Sequence, residues 1–283
     1  MTVPVGRWGR STFFLGRVWR LLRGDRSLIT VALVGSTLDA LAAALVFGGI
    51  AWLIGHDPQT VAGKSWLTGL VSVALAFPVT VFATYCNVAL LWLAQARFEG
   101  RRHGARQGFA AANGRLRAIL AWSLLATGVG AVLDKATQWL PLGGALATWA
   151  LGVAWSLATM FALPVVAIED AGARAAARRS AAIFRARWGE GVIGQVAVSS
   201  VTMLLWIPGV AVVIAGVVVG GWSGIAIAAA GGVFLGVANG FSRALTQLYA
   251  LAVYRHQVLG LGAFDLAPGQ LDELVDLKPR KGR

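Results

Sequence analysis

The sequence predicts an all-α membrane bundle that crosses the bilayer about six times, accompanied by two or three amphipathic interfacial helices. Three observations carry this. Of 283 residues, 57% are hydrophobic and only 13% charged, about half the charged share of ordinary soluble domains. Apolar stretches repeatedly reach the roughly 20 residues needed to span a hydrocarbon core. The basic residues gather in alternate connections between those stretches, the pattern of the positive-inside rule.

The elements follow in order. Residues 1–27 hold Arg7, Arg10, Arg17, Arg20, Arg23 and Arg26. On a helical wheel Phe14, Leu15, Val18, Leu21 and Leu22 share a face with Trp8 and Trp19, while Arg10, Arg17 and Arg20 gather on another. Such a helix lies in the cytoplasmic interface. The stretch 28–54 comes next, too long for a signal-peptide core and therefore a retained span. The remaining spans are placed at 66–94, 118–140, 142–168, 191–219 and 223–254. Several exceed what a bilayer core of about 30 Å requires, so tilt or extension is expected. Trp139-Leu140-Pro141 turns span three into span four, and Gly220-Gly221-Trp222-Ser223 turns span five into span six. Pro78, Pro164 and Pro208 are expected to kink spans two, four and five. The segment 255–283 is a polar tail with a short helix expected over 268–277.

Orientation follows from the basic residues. Arg97, Arg101, Arg102, Arg106, Arg115 and Arg117 follow span two; Arg174, Arg178, Arg179, Arg185 and Arg187 follow span four. With the N-terminal arginines and the basic tail, one side holds nearly all the positive charge, against Lys64 and Lys135 opposite. Both termini are therefore expected in the cytoplasm, with the chain in the inner membrane. The net charge of +13 is explained the same way. No aromatic-basic module accompanies it, so nucleic acid is not an expected partner. The heavy use of Arg, Ala and Gly fits a GC-rich bacterial genome.

The basic segment around 173–188 repeats the amphipathic pattern, with Ile183, Phe184 and Trp188 on one face and Arg174, Arg178 and Arg185 on another. Arg10-Ser11 precedes Trp19 at the interval by which Arg179-Ser180 precedes Trp188. The chain reads as three units, each a basic helix followed by a hairpin, a form of internal repetition common in transporters.

Ionisable groups within a span are expensive and mark candidate sites. Asp39 lies about 16 Å into span one at 1.5 Å per residue, and Arg243 lies at similar depth in span six. Either the two face each other, or Arg243 snorkels to the cytoplasmic interface. Asn239, Arg243 and Gln247 recur every four residues and share one helical face. Tyr85 and Asn87 lie beyond Pro78 in span two. These six residues, Asp39, Tyr85, Asn87, Asn239, Arg243 and Gln247, form the candidate binding set. The Glu169-Asp170 pair is read as acid stabilised by the dipole of the helix it precedes.

Gly220, Gly224, Ala228, Gly232, Gly236, Gly240 and Ala244 recur at intervals of four. This small-residue seam admits another helix backbone to backbone, from the same chain or a second copy. Cys86, His56, His103 and His256 form no metal-ligand spacing. No nucleophile elbow, phosphate loop or dinucleotide fingerprint is present, so neither a cofactor nor an enzymatic activity is expected.

Several stretches resemble an uncharacterised bacterial family of multi-pass membrane proteins of unknown function. They include Tyr85-Cys86-Asn87 with Gly100, Ile119-Leu120-Ala121-Trp122 leading to Gly128-Val129-Gly130, and Ala154-Trp155 with Leu163-Pro164-Val165. Glu169, Arg179-Ser180, Arg187-Trp188-Gly189, Ala252-Val253-Tyr254-Arg255 and Phe264-Asp265 continue the series. The resemblance implies the membrane architecture and supplies no activity. The expected function is that of a membrane scaffold or binding protein contacting membrane lipids, anionic lipids included, through its basic face. The alternative is a small-molecule or lipid transporter with a polar site near the midplane.

Overall fold

The computed structural model describes residues 7–56, 65–139, 144–186 and 192–262; the expected tail helix over 268–277 lies outside them. Among the described residues, ten helices run in chain order: α1 (Arg7–Gly24), α2 (Arg26–His56), α3 (Ser65–Phe98), α4 (Ala105–Asn113), α5 (Leu116–Trp139), α6 (Gly144–Thr159), α7 (Ala162–Glu169), α8 (Ala173–Ala186), α9 (Val192–Val219) and α10 (Gly221–Leu259). No strand occurs among the described residues. Among the described residues, five segments are long and apolar enough to cross a membrane: Arg26–Val46, Ala76–Phe98, Leu116–Leu133, Ala147–Glu169 and Gly221–Leu259. Within α9, Trp206–Val219 is a shorter apolar stretch. The molecule is an all-α polytopic bundle.

The expected fourth span is not one continuous helix. It breaks at Met160 and Phe161, so that α6 and α7 are separate. Pro164 falls in the first turn of α7. Proline is tolerated there because first-turn amides have no intrahelical partner, whereas in a continuous helix it would leave the Met160 carbonyl unbonded. Pro78 and Pro208 interrupt neither α3 nor α9.

Helix α10 is the spine. Its 39 residues extend about 58 Å at 1.5 Å per residue, more than a bilayer core requires. It packs most extensively on α2 and then on α9. The glycine seam explains both contacts within one chain. A Cβ at Gly232 would lie 2.7 Å from the Ala43 carbonyl oxygen, and one at Gly240 would lie 2.6 Å from the Ser36 Cα. Towards α9, a Cβ at Gly224 of the seam would run into the Gly216 carbonyl oxygen, and one at Gly231, beside the seam, would stand 2.9 Å from the Val213 amide nitrogen. Between α9 and α10 only Gly220 intervenes; it and Gly221 hold φ of 68° and 59°, a left-handed conformation that glycine adopts without penalty.

The core lies towards one end of the bundle. Leu22 of α1, Leu28 and Val31 of α2, Val88 to Leu91 of α3, Ile119 of α5, Val165 and Val166 of α7, and Leu248 to Tyr254 of α10 are all buried there. Far from that end, Leu45, Trp149, Val218 and Trp222 turn outward. The short basic helices close the packed end. Val18 and Leu22 anchor α1 in the bundle while Arg20 and Arg23 face out. Ala176, Ser180 and Ile183 do the same for α8, leaving Arg174, Arg178 and Arg185 outside.

Candidate functional site

Asp39 of α2 and Arg243 of α10 form an ion pair. Arg243 Nη1 stands 3.3 Å from each carboxylate oxygen of Asp39. The packing register explains how they meet. Gly236 faces Ala40 and Gly240 faces Ser36, so α2 and α10 run antiparallel and Arg243 sits level with a point about six residues before Asp39. That is an axial offset of about 9 Å. Side chains on a helix lean towards its N-terminus. In an antiparallel pair this tilts Asp39 and Arg243 towards each other. The Asp39 side chain is 6% exposed and that of Arg243 43%. The acid is thus enclosed by the close α2–α10 contact, and its counter-charge reaches in from the rim.

The pair lines a small cleft shared with Gly35, Cys86, Asn87 and Gly240. Its volume is about 10 Å³, room for about one water. Of the six residues expected to bind, the structure brings together Asp39, Asn87 and Arg243. Tyr85 is engaged elsewhere: its hydroxyl lies 3.1 Å from the Phe109 carbonyl oxygen and 3.0 Å from Asn113 Oδ1, and its ring stacks on Phe109. It fastens α4 to α3. Asn239 and Gln247 share the Arg243 stripe of α10 but do not line the cleft. The Gln247 side-chain oxygen Oε1 is buried without a hydrogen-bond partner among the described residues.

A second polar system, at the packed end, ties helix termini together. Arg97 at the end of α3 pairs with Asp25 just before α2, at 3.3 Å, and Asp25 also accepts the Ser27 amide at 2.9 Å. Arg115 before α5 donates to the Val166 carbonyl at 3.1 Å and pairs with Asp170 at 3.3 Å. Glu169 accepts the Tyr254 hydroxyl and lies 3.5 Å from Arg179. Arg101 binds Glu99 and holds its carboxyl below the usual glutamate range. The guanidinium of buried Arg255 lies 5.1 Å from the Phe98 ring centroid. These contacts place the start of α2 and α5, the end of α3, α7 and α10, and α8 at the same end of the bundle. They also correct the reading of Glu169 and Asp170. Glu169 ends α7, Asp170 caps it in the left-handed conformation, and arginines and a tyrosine from other segments bind them.

Two further pairs carried no signal in the sequence. Ser180 bridges the α6–α7 break, and Ser123 Oγ lies 3.3 Å from Thr84 Oγ1, joining α5 to α3 in the core. Each is a lone hydroxyl in an apolar or basic run, and nothing in spacing couples it to its partner.

A model for a family of unknown function, DUF6159, matches residues 67–264. The chain belongs to that family. The DUF6159 match takes in Asn87, Ser180, Arg243 and Arg255, whereas Asp39 precedes it. No curated protein and no solved structure matches the chain.

Proposed function

We propose that this protein is a membrane scaffold whose Arg-rich end gathers anionic lipid headgroups. The reading rests on an imbalance of charge. Asp25, Glu99, Glu169 and Asp170 are each already paired with an arginine. Arg26, Arg102, Arg106, Arg117, Arg174 and Arg185 turn outward from the same end without a carboxylate partner among the described residues. Each such residue near an anionic membrane surface is worth about 1 kcal/mol of attraction. The proposal places this end at the cytoplasmic leaflet of the inner membrane.

Reconstitution in phosphatidylcholine with a minor share of phosphatidylglycerol tests it. Lipid retained by the purified protein, measured by mass spectrometry, is expected to be enriched in phosphatidylglycerol and to lose that enrichment at high salt. Retention of the two lipids in the proportion of the bilayer overturns the proposal.

The joining of Asp39, Asn87 and Arg243 around one cleft favours a second reading, a transporter working near the midplane. At about 10 Å³ the cleft would have to open to admit a solute larger than water. Flux into proteoliposomes that is lost in Asp39→Asn supports this reading, and absence of flux removes it.

A further inference from the structure

A groove of about 600 Å³ runs along the outside of α5 and ends against the first turn of α8. Ala121, Leu125, Gly128 and Val132 of α5 line it together with Ala173 and Arg174 of α8, and the Arg115–Asp170 pair puts the α8 residues at the end nearer the start of α5. The α5 positions follow the helical stripe i, i+4, i+7 and i+11. From Ala121 to Leu133 the groove extends about 18 Å along the axis. Half of a hydrocarbon core of about 30 Å is close to that depth. The apolar part therefore has the length of an acyl chain from a single leaflet.

Its α8 end is cationic. Arg174 lines it, and Arg178 stands one turn further along the same face of α8. Arg117 precedes Ala121 by four residues and continues the α5 stripe beyond the groove. All three arginines face outward. The Arg115–Asp170 pair, 3.3 Å apart, holds the start of α5 beside the approach to α8, so the apolar track and the arginines stay in register. Asp170 is already occupied by that pair, and no acidic residue lies in the first turn of α8. A zwitterionic headgroup would bring its own cation into this positive field, whereas an anionic one would not.

We infer that the α5–α8 groove is a site for an anionic glycerophospholipid, its acyl chain laid along Ala121–Gly128–Val132 and its phosphate held by Arg174 and Arg117. This deepens the scaffold reading and rests on it: one retained lipid has a defined seat, while the rest form a loose shell.

The test uses phosphatidylglycerol and phosphatidylcholine probes carrying a photoreactive group in one acyl chain. The full chain is reconstituted with each, and the labelled peptides are mapped by mass spectrometry. The phosphatidylglycerol probe is expected to label 121–133 several-fold more than the phosphatidylcholine probe does. Gly128→Trp is expected to reduce that labelling. A Cβ at Gly128 meets nothing within 4 Å and Gly128 lines the groove, so a side chain there starts out in the groove's open space. Gly130→Trp, where a Cβ is equally unobstructed but which does not line the groove, should leave the labelling intact. Arg117→Gln and Arg174→Gln should each lower the preference for phosphatidylglycerol about fivefold while labelling by phosphatidylcholine persists. Equal labelling by the two probes at 121–133, or equal loss in both tryptophan variants, overturns the site. If phosphatidylglycerol is still preferred elsewhere around the Arg-rich end, only the groove has failed. If it is preferred nowhere, the scaffold reading has failed as well.

Discussion

Ser180 of α8 and Phe161, in the turn between α6 and α7, close the gap where the fourth span breaks. The Ser180 hydroxyl accepts the Phe161 amide at 3.0 Å and donates to the Ala158 carbonyl oxygen at 2.7 Å. It is completely buried. A helix interrupted inside a membrane protein survives only where something satisfies the freed backbone groups, and here one hydroxyl from α8 serves both sides of the break. Ser180→Ala leaves a donor and an acceptor unpaired in a dry site, and should destabilise by about 2–4 kcal/mol. Unfolding in detergent followed by circular dichroism checks this. A midpoint equal to that of the unsubstituted protein would show that the hydroxyl does not hold the break.

The Asp39–Arg243 pair predicts an asymmetric double-mutant cycle. Arg243→Met strands a carboxylate whose side chain is 6% exposed and should cost about 2 kcal/mol. This lies below the range for fully buried pairs, because Arg243 reaches the rim. Asp39→Asn should cost less, since the freed guanidinium can turn outward. The double variant Asp39→Asn with Arg243→Met should be more stable than the sum of the single losses predicts. Strict additivity would mean that the two charges do not interact.

Glycine positions on α10 and α6 should respond oppositely to a single methyl group. A Cβ at Gly236 would lie 2.5 Å from the Asp39 carbonyl oxygen and the Ala40 amide nitrogen, so Gly236→Ala must push α2 and α10 apart, at about 1–3 kcal/mol. At Gly152 a Cβ meets nothing within 4 Å, and Gly152→Ala should be neutral or stabilising by up to about 1 kcal/mol. Denaturation midpoints of the two variants provide the comparison, and equal effects would refute the backbone contact.

Glu99 supplies a pH dependence. The Arg101 hydrogen bond holds its carboxyl below the ordinary value of 4.5. A lowered carboxyl stabilises the fold fully above that value, and the contribution disappears as pH falls through the lower folded-state value. The side chain is 35% exposed, so solvent screening keeps the effect under about 1 kcal/mol. The stability difference between the unsubstituted protein and Glu99→Gln should therefore be small at neutral pH and vanish in strong acid. A difference that grows on acidification would reverse the assignment.

The long helices were legible because hydrophobic length is a direct consequence of bilayer thickness. The Gly220-Gly221 turn was legible because few residues other than glycine adopt that backbone. The α10 seam showed in the spacing of its small residues, but the choice of α2 as its occupant did not, since period-four glycines describe one surface and not its complement. Asp39 and Arg243 stood out by the expense of charge at depth, and their similar expected depth suggested a pairing that in the structure spans an axial offset of about 9 Å. Tyr85 was misleading: its hydroxyl could be recognised as polar in an apolar run, but its destination, the Phe109 carbonyl and Asn113, depends on how α4 folds back. The break at Met160 and Phe161 left only Pro164 as a trace. Its remedy, Ser180, lies beyond a turn, in a segment whose arginines dominate its appearance.

The single-residue connection at Gly220 has a consequence for biogenesis. With only Gly220 between α9 and α10, and Gly216 set backbone to backbone against Gly224, the nascent chain needs no long-range search to bring these two helices together. They can zip from the turn outward as soon as α10 begins to form, since closing so short a loop costs little entropy. A long polar insert at this joint would remove that head start and leave the α9–α10 pairing to be found by diffusion.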